Sequence, residues 1–282
     1  MTTSLAPGSP NPLTPGPAAT GPAGPVLGRN GSPGTGLVDP GPLGGGRLGD
    51  GRYTVGLAVS PGDVQAAQRL RYAVFADEMG ARLDSPVSGL DADRFDAYCD
   101  HLVVREGREV VGTYRLLPPG RAERLYADAE FDLSALAPLR KDLVEAGRTC
   151  VHPDHRGGTV VALMWAGIAR YMAAGGHRWL AGCCSVPLDD GGTLAAAVAG
   201  RVPLGPEEYR VTPRTPWRSR RAVPPGRFAP PALLRGYLRL GSWVCGAPAH
   251  DADFGTADFF VLLSMDRVNP RYLRYFLSGA PR

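Results

Sequence analysis

The chain has 282 residues, 44% of them hydrophobic and 21% charged, with a formal net charge of +4 at pH 7. That excess is mild, and no recognisable DNA or RNA module accompanies it, so nucleic acid is not an expected partner. No run of about 18 apolar residues occurs, so no membrane-crossing helix is expected.

Residues 1–50 are almost entirely Gly, Pro, Ala, Ser, Thr and Leu. Such a segment buries too little apolar surface to offset chain entropy and is expected to be disordered. It lacks the basic start and continuous apolar run of a secretory signal. Residues 51–282 are then expected to form one domain. Its first strand is predicted at 53–59. Ser60 and Pro61 supply a helix N-cap and first position, and the apolar spacing of Val64, Ala67, Leu70, Val74 and Phe75 carries that helix to about Gly80. Residues 81–97 read as an acidic loop. Residues 101–106 and 109–117 read as an antiparallel hairpin turning at Gly107. Further strands are predicted at 143–151, 179–185 and 257–264, and helices at 159–174, 193–200, 231–240 and 269–277. This order implies an α/β fold, a mixed sheet with helices on both faces.

The five cysteines, Cys99, Cys150, Cys183, Cys184 and Cys245, are odd in number and form no CxxC pair. They read as reduced thiols of a cytoplasmic protein without a metal site. Cys150 reads as a small core residue rather than a nucleophile. Arg201, Arg210, Arg214, Arg218, Arg220, Arg221 and Arg227 crowd a Pro-rich loop at about 201–230. The loop is either a solvated surface or a dock for an acidic protein or anionic lipid. The helix at 231–240 either lies on a bilayer surface or packs on the core.

The segment Glu145-Ala-Gly-Arg148-Thr-Cys-Val151-His-Pro-Asp-His-Arg156-Gly157-Gly158-Thr159 is the most informative. A strand ends in a Gly-rich turn that opens a helix, which aims backbone N–H groups and a positive helix end at an anion. Glu145 and Arg148 stand on the strand just before it. No Gly-x-Ser-x-Gly elbow surrounds Ser185, which argues against hydrolysis.

This order of elements resembles the GNAT acyltransferase fold, in which the turn cradles coenzyme A. Here Thr159 and Val161 replace small residues of that turn, which hinders a pyrophosphate but suits the single phosphodiester of a carrier-protein arm. The motifs Arg71-Tyr-Ala-Val-Phe75, Phe95-Asp96-Ala-Tyr-Cys-Asp100-His101, Gly112-Thr-Tyr-Arg115, Glu130-Phe131-Asp, Gly147-Arg148-Thr-Cys-Val151 and Gly241-Ser-Trp-Val-Cys-Gly246 resemble the L-ornithine Nα-acyltransferases over residues 53–278. More distantly, Arg71 with Phe75, Asp96 with Asp100, Arg115, and Glu145 with Arg148 resemble the acyl-homoserine lactone synthases.

The resemblance implies an enzyme that moves a 3-hydroxyacyl chain from acyl carrier protein to the α-amine of L-ornithine, giving lyso-ornithine lipid. It implies no tightly bound cofactor, only the phosphopantetheine arm of the donor. The amine must lose a proton, and Glu145 leads as its acceptor, followed by Asp100 and Asp96. The oxyanion is expected to meet a backbone N–H near Val151. Arg71, Arg115 and Arg148 are candidates for the amino acid's carboxylate, with Arg71 equally a structural partner of Asp96 or Asp100. An acidic residue of 91–100 is expected to take the side-chain ammonium. Arg156, Gly157, Gly158 and Thr159 are expected to face the pantetheine phosphate. His101 and His152 rank lower as substrate contacts, and Phe131 and Trp165 read as core, with Phe131 also a candidate for lining an acyl tunnel. Acyl carrier protein is acidic, so the Arg-rich loop fits it as a dock. The inner face of the plasma membrane is the loop's other expected contact.

Overall fold

The computed structural model describes residues 51–219, 226 and 228–278. The expectation of disorder for 1–50 lies outside these residues, as do Arg220, Arg221 and Arg227. The chain runs β1 (Tyr53–Leu57), α1 (Pro61–Tyr72), β2 (Asp100–Glu106), β3 (Glu109–Leu117), β4 (Phe131–Asp132), β5 (Leu143–Val151), α2 (Thr159–Ala174), β6 (Trp179–Pro187), α3 (Thr193–Arg201), β7 (Thr212–Pro213), α4 (Ala232–Leu240), β8 (Trp243–Val244), β9 (Ala249–Asp251), β10 (Thr256–Ser264) and α5 (Pro270–Ser278). The long elements fall where sequence periodicity puts them. Ser60 caps α1 by accepting from the Asp63 N–H, while Asp63 answers with a bond to the Ser60 N–H. That reciprocal box explains the sharp start of the helix. The expected continuation to Gly80 is a separate π-helical stretch, Ala73–Glu78.

The main sheet has the order β1-β2-β3-β5-β6-β10-β8, with β9 on β10, and every pairing is antiparallel except β5 with β6. Leu102 and Val104 face α2, while Val103 between them faces α1, so helices cover both faces through the two-residue alternation of a strand. The helix at 231–240 does not lie free for a bilayer. Leu234, Tyr237 and Leu240 of α4 are buried in the core, and the Tyr237 hydroxyl is 2.8 Å from that of Tyr114. Phe131 is fully buried against Phe260 and does not line the cavity described next, so it is not part of an acyl tunnel there. Sequence reading missed four short strands, β4, β7, β8 and β9, which have too few residues to show a period.

Two features open the middle of the sheet. The first is divergence of its parallel pair. β5 and β6 pair only over Leu143–Glu145 and Trp179–Ala181. They separate at Gly182, where an added Cβ would stand 2.2 Å from the Ala146 carbonyl oxygen. Only glycine permits this contact at the fork. The second is a bulge in β5. Thr113 pairs with Cys150 and Arg115 with Gly147, so Arg148 and Thr149 together oppose Tyr114. Arg148 takes φ of 50°, left-handed for a side chain that disfavours it. The extra residue inverts the alternation: Val144 and Ala146 face α2 before the bulge, and Val151 faces α2 after it.

Candidate active site

The fork and bulge enclose a cavity of about 520 Å³. Phe75 and Met79 before the acidic loop, Val161, Met164 and Trp165 on α2, and Leu233 on α4 give it an apolar lining. Arg115, Glu145 and Arg148 enter from β3 and β5, Cys183 and Ser185 from β6, Asp258 from β10 and Glu130 from just before β4. Arg156 and Met79 also line it and are exposed, which places them at its mouth.

Glu145 is buried at 5% exposure and lines the cavity. The backbone N–H groups of Tyr126 and Ala127 donate to its two oxygens at 2.6 and 2.8 Å. Burial pushes its carboxyl up to about 7, against the pull of those two donors and of Arg115. It is therefore both an anchor for the Tyr126–Ala129 turn and a carboxyl able to exchange a proton near neutrality.

The other two proton-acceptor candidates stand differently. Burial would raise Asp96, but Arg71 and Arg115 overcome it and hold the carboxyl at about 2. A group that stays ionised down to that pH is a poor base. Asp100 does not line the cavity; it accepts from Tyr171 at 2.7 Å and Arg121 at 2.8 Å on the α2 side of the sheet. The strand's alternation sends it away from its neighbour His101, which faces Asp96.

The three arginines share one ionic knot with the acidic loop. Arg71 is fully buried, pairs with Asp91 and Asp96 at 2.9 Å, also donates to the Asp91 carbonyl, and does not line the cavity. Of its two sequence readings, structural partner is the one the geometry fits. Arg115 lies 2.7 Å from Asp93 and 3.1 Å from Asp96, and those carboxylates push its pKa up against the effect of burial. Arg148 is held more loosely, 3.3 Å from Asp91 and 3.8 Å from Asp93, with its guanidinium between the rings of Tyr126 and Phe254. Its side chain is 14% exposed. The bulge thus turns Arg148 into the cavity on an aromatic mount. The knot also corrects the expectation for the side-chain ammonium: Asp91, Asp93 and Asp96 are already paired with arginines.

At the mouth, Arg156 forms a two-bonded pair with Glu78 at 2.6 and 2.7 Å and donates to the Val151 carbonyl. Gly158 takes φ of 97° as the N-cap of α2 and leaves open space where a side chain would stand, as does Gly157. The N–H groups of Thr159 and its successors are thus uncovered by any capping side chain. His101 and His152 do not line the cavity, and burial lowers the pKa of His101. Cys150 is buried and its thiol is pushed up to about 12, which removes it as a nucleophile. All five cysteines are free thiols.

Sequence reasoning missed Glu130, Asp258 and Asp251, which also line the cavity. Asp258 offered a signal: it is the one charged residue in β10, a strand buried along its whole length.

Fold and cavity define a GNAT-type acyltransferase, and the Acetyltransferase (GNAT) domain family matches residues 70–166. The chain is 35% identical over 263 residues to the L-ornithine N(alpha)-acyltransferase of Brucella abortus, covering 82% of this chain and 91% of that one. It is 35% identical over 247 residues to the enzyme of the same name from Rhodobacter capsulatus, covering 79% and 94%. This protein belongs to the L-ornithine N(alpha)-acyltransferase family. Among solved structures it is similar to the CoA-dependent acyl-homoserine lactone synthase BjaI, with 18% identity, a TM-score of 0.49, and coverage of 79% and 85%. No described helix is long and apolar enough to cross a membrane.

Proposed function

We propose that this enzyme transfers a 3-hydroxyacyl group from the phosphopantetheine arm of acyl carrier protein to the α-amine of L-ornithine, forming lyso-ornithine lipid. The observation that carries the reading is the forked, bulged strand pair, which sets a near-neutral carboxyl, Glu145, in the same cavity as Arg156 and Val161, the residues on either side of the Gly-rich helix start. The relatives' names supply the acceptor.

In this reading the arm enters at Arg156. Its phosphodiester replaces Glu78 on that guanidinium and meets the amides of Gly157, Gly158 and Thr159. The acyl chain lies against Met164, Trp165 and Leu233, where apolar surface is available. Arg148 takes the ornithine carboxylate. Glu145 accepts the proton of the α-ammonium through water. The freed nitrogen pair attacks the thioester carbonyl carbon, and the oxyanion meets backbone N–H groups of the bulged segment near Val151. The C–N bond forms and the nitrogen sheds its second proton, the C–S bond breaks, and the departing sulfur takes up that proton and leaves as the carrier's thiol. Arg115 stays bound to Asp93 and Asp96 and holds the acidic loop against β3.

The test is a panel of amines with 3-hydroxyacyl carrier protein as donor, read by thiol release and product mass. An ornithine-containing lyso-lipid is the expected product. A diffusible lactone, or no thiol release with any amine, refutes the proposal.

A further inference from the structure

The cavity lining also holds an unusual group. One ligand atom each from Glu130, Cys183 and Asp258 lies within 4.8 Å of the others, and all three residues line the cavity. Asp258 is only 4% exposed. The register places it beside Ser185 of β6, whose hydroxyl bonds to it, and the Thr256 hydroxyl donates to it at 2.7 Å. Glu130 Oε2 is buried and accepts no hydrogen bond among the described residues. Arg115 and, more loosely, Arg148 pair with the acidic loop, Arg156 pairs with Glu78, and no ion pair involves Glu130 or Asp258 among the described residues. A half-buried and a buried carboxyl face each other without a counter-charge, an arrangement that destabilises their joint ionisation. Burial pushes Glu130 up, as do Asp258 and Asp251 beside it. The two carboxyls share a hydrogen bond, and Glu130 Oε2 is left over as a buried acceptor that an entering cation would satisfy.

Accepting the acyl transfer proposed above, we infer that Glu130 and Asp258 form the subsite for the side-chain ammonium of the acceptor, and so select a diamino acid over a monoamino one. An ammonium carries three donors. Glu130 Oε2, the Asp258 carboxyl and the Ser185 hydroxyl supply three acceptors on one wall. The acceptor would then be held at both ends, its carboxylate by Arg148 and its distal nitrogen by the acidic pair, with the α-nitrogen left towards Glu145. Cys183 completes a set that could also take a divalent metal, but burial holds its thiol protonated, which weakens it as a ligand.

The experiment compares L-ornithine with L-norvaline, which has the same carbon chain and no side-chain amine, on wild type, Glu130→Gln and Asp258→Asn. Thiol release from acyl carrier protein gives KM and kcat, and calorimetry reads amino-acid binding without turnover. A hydrogen-bonded charge is worth about 1.5–3 kcal/mol, so each variant should weaken ornithine by about 10- to 100-fold and leave norvaline within about twofold. Equal use of both amino acids by wild type, or equal loss of both in the variants, overturns the inference. So does a stoichiometric metal that wild type binds and the variants lose. Selective ornithine binding that these variants abolish, without thiol release by wild type, would uphold the subsite and sink the transfer reaction instead.

Discussion

Glu145→Gln separates what this carboxyl does for the fold from what it does for the reaction. Its folded pKa of about 7 stands against an ordinary 4.5. The native state therefore holds the proton more tightly than the unfolded chain. Stability from this group is full below the ordinary value and is lost as pH rises from 4.5 to about 7. A rise of that size is worth about 3 kcal/mol. The amide cannot ionise, so the variant escapes that loss. It also presents an NH₂ to one of the two backbone donors, at a cost of about 1–3 kcal/mol. Urea unfolding should find the variant less stable than wild type near pH 4.5, with the gap closing by about 3 kcal/mol by pH 8. The rate should behave oppositely, falling about 10²- to 10⁴-fold at neutral pH if the proton transfer is lost. The wild-type kcat/KM should rise with pH through about 7, and the variant should lack that limb. Unchanged turnover, or a wild-type profile flat through pH 7, refutes the role assigned to Glu145.

Four other outcomes follow. Asp96→Asn should destabilise by about 3–5 kcal/mol in urea unfolding, because it leaves Arg71 and Arg115 buried beside a neutral amide. Wild type should lose the Asp96 contribution only as pH falls from 3.8 towards about 2. Gly182→Ala should cost about 1–3 kcal/mol in thermal unfolding and lower activity, since the new methyl meets the Ala146 carbonyl at the fork. Arg156→Ala should raise the KM for the acyl donor more than for the amine; an equal rise for both would remove Arg156 from donor binding. Charge reversal at Arg218, Arg220 and Arg221 should impair use of carrier protein and spare a short pantetheine thioester, and equal loss with both would count against a docking role.

The long elements were legible because each carried a local signature: the N-cap Ser60 with Pro61, the two apolar runs about the turn at Gly107, the glycine turn before α2. Glu145 and Arg148 were legible as a pair of charged residues on an apolar strand. The bulge between them was not, because nothing local in Gly-Arg-Thr announces two residues opposite one. Its cause lies in the partner strand's register. Asp100 was misplaced for a related reason. A one-residue step along β2 decides whether a carboxylate meets the Arg71–Arg115 knot or Tyr171 on the far face. Glu130 and Asp258 meet only because the segment before β4 folds over the β6–β10 pair, a long-range closure that no spacing along the chain reveals.

The salt link between Glu78 and Arg156 has a consequence for turnover. In the resting enzyme an internal carboxylate already sits on the guanidinium that the donor's phosphate would claim. Under the proposed transfer, each arriving arm would evict a tethered rival, and each spent arm would depart with that rival poised to return. Affinity for a loaded carrier would thereby be traded for speed of discharge. Glu78→Gln should strengthen carrier binding and slow multiple-turnover rates, leaving a single turnover untouched; weaker carrier binding in that variant would show that the link only props the cavity mouth.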